Sequence, residues 1–130
     1  MARITSKYPT ELELEILKIL WREGQATVRQ VRKRLSTFRK LAYTSVMTMM
    51  TIMTEKGYLK RSKEGNYYVY KPRITERETT RGILGDIVDR LFDGSAAAAM
   101  VNLLETGDID ETELEQLREI IIQKSRETNQ

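Results

Sequence analysis

Cysteine and histidine are both absent from this 130-residue chain. Without cysteine there are no disulfides, no thiolate metal sites and no thiol nucleophile; without histidine there is no imidazole to bind a metal or move protons near neutral pH. Any catalysis would fall to carboxylates, hydroxyls and lysines. The acids offer no convincing constellation, since Asp86 and Asp89 are spaced like a solvated helix face. Neither an enzyme nor a metal or cofactor site is expected. A long apolar run is missing too: nothing approaches the ~20 residues that span a bilayer, and the N-terminus Met-Ala-Arg-Ile-Thr-Ser-Lys has no apolar signal core. The expectation is a cytoplasmic protein with no membrane insertion. With 40% hydrophobic and 32% charged residues, the chain has the composition of a folded domain, or of two small ones leaning on each other.

The net charge of +3 conceals an uneven distribution. Residues 1–72 carry fifteen Lys/Arg against six Asp/Glu, a net of +9; residues 73–130 carry seven against thirteen, a net of −6. A basic half beside an acidic half suggests one module for a polyanion and another for a different task.

The most informative stretch runs from Ala42 to Leu59. Wound as a helix at about 100° per residue, it places Val46, Met49, Met50 and Met53 on one side. Thr44, Thr48, Thr51 and Glu55 fall opposite, with Ser45, Met47 and Ile52 on the shoulders. Outward helix faces are usually built from Glu, Lys, Gln and Arg, which are also better helix formers than threonine. Short hydroxyls suit close approach to another surface, such as the floor of a DNA major groove. A core helix whose threonines merely face solvent is the plainer alternative.

The surroundings favour DNA. Thr10 with Glu13, and Thr27 with Gln30, mark capping boxes that start two earlier helices. The first buries Leu12, Ile16, Leu17, Ile19, Leu20 and Trp21 and ends at Gly24; the second presents Val28, Val31 and Leu35, with Arg29, Arg32, Lys33 and Arg34 on its other side. A linker, Ser36-Thr37-Phe38-Arg39-Lys40, leads to the threonine-faced helix, which stops at Gly57. The period then changes: 59–63 and 67–71 read as two short strands rich in β-formers around the turn Lys63-Glu64-Gly65-Asn66, and Pro72 closes the expected hairpin. Three helices and a hairpin are the order of a winged helix–turn–helix. Three further helices follow, at about 75–92, 96–104 (capped by Ser95, ended by Gly107) and from Asp110, whose box partner is Glu113. The fold class is therefore mostly α with a small β-hairpin: a winged-helix DNA-binding domain over 1–72, a three-helix domain over 73–124, and a disordered tail at 125–130.

The second half is too apolar to satisfy itself. Ile83, Leu84, Ile87, Val88 and Leu91, then Met100, Val101 and Leu104, then Leu117, Ile120 and Ile121 form faces wider than three short helices can bury against one another. A second copy of the chain is the natural cover, making these residues the expected dimer interface. A lipid or cofactor pocket is the alternative use. In the first half, Thr44, Ser45, Met47, Thr48 and Thr51 are the expected base readers, and Arg39, Lys40, Lys60, Arg61 and Lys63 the expected phosphate contacts. No Arg or Asn on the helix face stands ready for a bidentate base contact, so several modest contacts and DNA shape would share the reading.

The combination of Thr10–Trp21 (TELELEILKILW), Thr27–Val31 (TVRQV), Leu41–Thr48 (LAYTSVMT), Glu55–Leu59 (EKGYL) and Tyr67–Tyr70 (YYVY) resembles the penicillinase-repressor family, which includes the methicillin-resistance regulators and the copper-responsive operon repressors. The resemblance spans almost the whole chain. It implies a homodimeric winged-helix repressor of transcription on a palindromic double-stranded operator, with a link to antibiotic resistance. In the β-lactam branch it implies a membrane sensor that triggers proteolysis in the dimerisation domain, after an Asn. The matching bond is Asn102–Leu103 in Met100–Leu104 (MVNLL); the resistance regulators carry Phe where Leu103 stands. The copper branch carries a C-terminal cysteine cluster, which this chain lacks. Many members have Arg where this chain has Ile52. A reading from a different class is a winged-helix adaptor that binds protein without specific DNA; it predicts little dependence of partner binding on salt.

Overall fold

The computed structural model describes residues 8–37 and 39–129, so Phe38 of the linker and Gln130 of the expected tail lie outside the described residues. The first helix, α1 (Glu11–Glu23), opens with the Thr10 capping box. Thr10 Oγ1 accepts from the Glu13 amide at 3.3 Å and the Thr10 amide donates to Glu13 Oε1 at 2.8 Å. It ends at Gly24, whose φ of +86° favours glycine. The same reciprocal pair at Thr27 and Gln30 starts α2 (Val28–Leu35). α3 (Tyr43–Glu55) begins at Ala42 with no side-chain cap.

β1 (Leu59–Glu64) and β2 (Tyr67–Pro72) pair antiparallel, with Glu64 opposite Tyr67 and Gly65-Asn66 as the two-residue loop. Gly65 at φ +62° takes the first central position, as a type II′ hairpin requires. A third, one-residue strand was not foreseen: Ala26 bridges Tyr70, each amide donating to the other's carbonyl at 3.0 and 2.9 Å. This bridge ties the α1–α2 turn to the hairpin. Ile16, Leu17 and Leu20 of α1, Val31 and Leu35 of α2, Val46, Met50 and Met53 of α3, and Leu59 and Tyr70 of the hairpin make one buried core. Each such side chain contributes roughly 1.5–3 kcal/mol through burial. The arrangement is a winged helix–turn–helix, as expected. Trp21 Nε1 donates to the Ile74 carbonyl at 2.9 Å, anchoring the chain where it leaves the wing.

Three helices follow: α4 (Glu76–Leu91), α5 (Ala96–Thr106) and α6 (Glu111–Thr128). Ser95 caps α5, and Asp110 with Glu113 caps α6. The chain divides into compact units between Leu84 and Gly85, inside α4, and not after Pro72. That shift follows from Thr79, buried on α4, and from Tyr8, whose ring packs where a Cβ on Gly82 would lie, 2.9 Å from its Cε1. The polar end is also no disordered tail up to Thr128: α6 continues four residues past Lys124. Its Gln, Lys, Arg and Glu residues are good helix formers, and polarity there signals exposure, not disorder. Beyond Thr79 no described residue is buried.

Candidate nucleic-acid interface

α3 divides as its sequence predicts. Val46, Met50 and Met53 are fully buried and Met49 partly so, while Thr44, Ser45, Met47 and Thr48 are exposed, Met47 at 41%. Thr51 is half-buried, and its hydroxyl donates back to the Met47 carbonyl at 2.9 Å. It therefore offers lone pairs outward but no free proton. Two polar straps fix the helix. At its C-terminal end Lys56 Nζ lies 2.9 Å from Glu13 Oε2, a carboxylate only 1% exposed on α1. At the other end Arg32 Nε donates to the Leu41 carbonyl at 2.9 Å. Burial pushes the Glu13 carboxyl up, but the Thr10 amide and the Lys56 ammonium outweigh it and hold the group below its ordinary value.

The wing stands beside α3. Its inner side carries Arg61, Tyr68 and Tyr70, which with Met47, Thr48, Thr51, Ile52 and Glu55 line an open groove. The Arg61 guanidinium lies 4.4 Å from the centroid of the Tyr68 ring. The neighbouring Tyr70, aided by Tyr68 and Glu55, raises its pKa further. Lys60 and Lys63 are exposed, and Lys60 faces Lys71 directly across the strands. Like charges so placed disfavour each other unless an anion lies between them.

Of the basic residues assigned to phosphate, Lys40 is exposed but Arg39 is drawn elsewhere. Its Nε donates to Glu15 Oε2 at 2.8 Å, and Glu11 lies 3.9 Å away, so Arg39 ties the linker to α1. Sequence reasoning passed over Tyr43, Arg29, Asn66 and Tyr67, which line a second groove with Met47 and Tyr68 beside the start of α3. Tyr43, Tyr67 and Tyr68 are 44%, 53% and 41% exposed. Exposed tyrosines at a helix start and beside a hairpin turn were the available signal.

The family model described as Penicillinase repressor matches residues 9–123. The chain belongs to the penicillinase repressor family. Members of that family are transcriptional repressors, not enzymes. The penicillinase repressor of Bacillus licheniformis is 27% identical over 86% of this chain and 88% of its own length. The transcriptional regulator BlaI of Mycobacterium tuberculosis is 33% identical over 79% of this chain and 76% of its own. The methicillin resistance regulatory protein MecI of Mammaliicoccus sciuri is 21% identical over 86% and 91%. Among solved structures, that of the Bacillus licheniformis BlaI monomeric form in complex with the blaP half-operator is 31% identical, covering 60% of this chain and 93% of that one, with a TM-score of 0.48.

The residues assigned to assembly and cleavage lie in α4–α6. Leu84, Ile87 and Leu91 of α4, Met100, Val101 and Leu104 of α5, and Leu117, Ile120 and Ile121 of α6 are all large exposed hydrophobics, Leu91 reaching 72%; Ile83 and Val88 are half-buried. Asn102–Leu103 lies within α5, where the Asn102 carbonyl accepts from Thr106 Oγ1 at 2.7 Å and the Leu103 carbonyl from the Gly107 amide at 2.8 Å. The bond is thus held in regular helix. Among the described residues no helix is long and apolar enough to cross a membrane.

Proposed function

We propose that this chain is a homodimeric repressor that binds a palindromic operator, with α3 in the major groove of each half-site and the wing on the flanking backbone. The observation that carries the reading is the face of α3: four exposed short or flexible side chains, Thr44, Ser45, Met47 and Thr48, above a fully buried stripe. Hydroxyls donate to or accept from base edges, and the Met47 thioether packs on a thymine methyl. Lys40, Lys60 and Lys63 neutralise phosphates, which supplies most of the affinity and makes it fall with salt. Dimerisation is supported by the exposed apolar side chains of α4–α6, which a symmetric partner would cover. The operator half-sites are then spaced by roughly one or two helical turns.

Release follows from the same assembly. A sensor protease, membrane-bound and responsive to β-lactams in the family's resistance branch, would cut after Asn102. A protease needs an extended strand, so α5 must open before cleavage. Asn102→Ala should block induction in cells, and unchanged induction would remove the proteolytic route. The DNA reading is tested by Met47→Ala combined with Thr48→Ala in gel-shift titrations on the chain's own promoter. Loss of preference over random DNA, with non-specific binding kept, is expected. If specificity survives intact, α3 is not the reading helix.

A further inference from the structure

The α3 face carries no arginine or asparagine, yet a guanidinium stands beside it. Arg61 belongs to β1, not to the helix, and the antiparallel register puts it opposite Tyr70 and diagonal to Tyr68. The Tyr68 ring holds the guanidinium at 4.4 Å, and the groove they line continues onto Met47, Thr48 and Thr51. A free arginine samples many rotamers. One stacked on an aromatic ring is confined, and its planar fork is ready for two parallel acceptors. Glu55, in the same groove, is the only carboxylate among its lining residues and supplies the counter-charge while DNA is absent.

We propose that Arg61 is a sequence-reading residue: presented by Tyr68 from the wing, it places its fork on the O6/N7 edge of a guanine in the half-site, next to the base pairs met by Met47 and Thr48. This inference rests on the DNA-binding reading above and sharpens it. The strongest bidentate base contact then comes from the hairpin, and the helix supplies the weaker ones. A phosphate contact by the same side chain is the competing outcome, and the two differ in what lysine can replace. Lysine keeps the charge that a phosphate needs but loses the fork that a guanine edge needs.

The test uses the full-length chain, its own promoter fragment and a random duplex of equal length. Binding to both is titrated across a series of salt concentrations for the wild type, Arg61→Lys and Tyr68→Leu. The expected result is a fall of roughly tenfold or more in the operator-to-random ratio for Arg61→Lys, with the salt slope unchanged. A smaller fall is expected for Tyr68→Leu. Replacing one guanine per half-site by 7-deazaguanine should weaken the wild type and leave Arg61→Lys unaffected at that position. If Arg61→Lys keeps the wild-type ratio, Arg61 holds phosphate and the inference is overturned. If the wild type itself shows no operator preference, the DNA-binding reading fails first, and the two failures are told apart.

Discussion

Glu13 serves two partners at once. Its carboxylate closes the α1 capping box through the Thr10 amide and meets Lys56 at the end of α3, 43 residues away in sequence. Only the first role was legible, because a capping box is a local pattern and the Lys56 pair depends on how two helices cross. The pair is nearly dry, with Glu13 at 1% and Lys56 at 18% side-chain exposure. Removing one partner strands the other, so Lys56→Met should destabilise the winged domain by about 2–4 kcal/mol, measured by urea unfolding at fixed protein concentration. The pH dependence has a definite sign. Glu13 titrates below its ordinary value of 4.5 in the folded state, so as pH falls the unfolded chain takes up the proton first. The stabilisation is complete above that value and is lost as pH drops through the lower, folded one. Glu13→Gln should therefore lower stability at neutral pH and flatten the acid limb of the stability curve below about pH 4.5. An acid limb identical to that of the wild type would show that Glu13 carries no such linkage.

At the scale of elements, what is local was legible and what is long-range was not. Thr10–Glu13, Thr27–Gln30 and Asp110–Glu113 announced three helix starts that the structure reproduces, because each cap lies within one turn. The apolar period of α3 likewise gave its buried stripe. The Ala26–Tyr70 bridge, the Arg39–Glu15 pair and the stacking of Arg61 on Tyr68 went unread: the first two join residues 44 and 24 apart, and the third depends on strand register. The hairpin turn depends on its glycine. Gly65 holds φ +62° with no atom within 4 Å of an added Cβ, so the obstacle to a larger residue is backbone strain and not crowding. Gly65→Val should cost about 1–3 kcal/mol locally. The wing root is secured by Leu59 and Tyr70, both about 1% exposed, so global unfolding should change less than that, while operator affinity falls. Equal losses in stability and affinity would mean that the wing folds as one unit with the core and has no separate part in binding.

For the molecule as a whole, the proposed function divides the work between the basic winged half, facing a polyanion, and the acidic helical half, facing a second copy of the chain. Contacts from one recognition helix with hydroxyls and a thioether are individually modest, so a single winged domain discriminates weakly. Joining two on one duplex makes the second binding event intramolecular, and avidity then exceeds either contact without any new interaction. In such an assembly the dimer interface would be a determinant of operator selectivity although it touches no DNA. Ile120 and Ile121, 63% and 57% exposed on α6, are apolar surface that a lone chain leaves in water. A charge there opposes association, while the core formed by α1–α3 and the hairpin contains neither residue. Ile120→Asp with Ile121→Asp should therefore give a monomer by light scattering at concentrations where the wild type is dimeric. The far-UV spectrum should be largely retained, and half-site affinity should be close to that of the wild type. On the full operator the same variant should lose about a hundredfold in affinity, the advantage that linkage provides. A variant that stays dimeric would place the interface elsewhere on α4–α6. A monomer that still binds the full operator as tightly as wild type would mean that each winged domain selects its half-site alone.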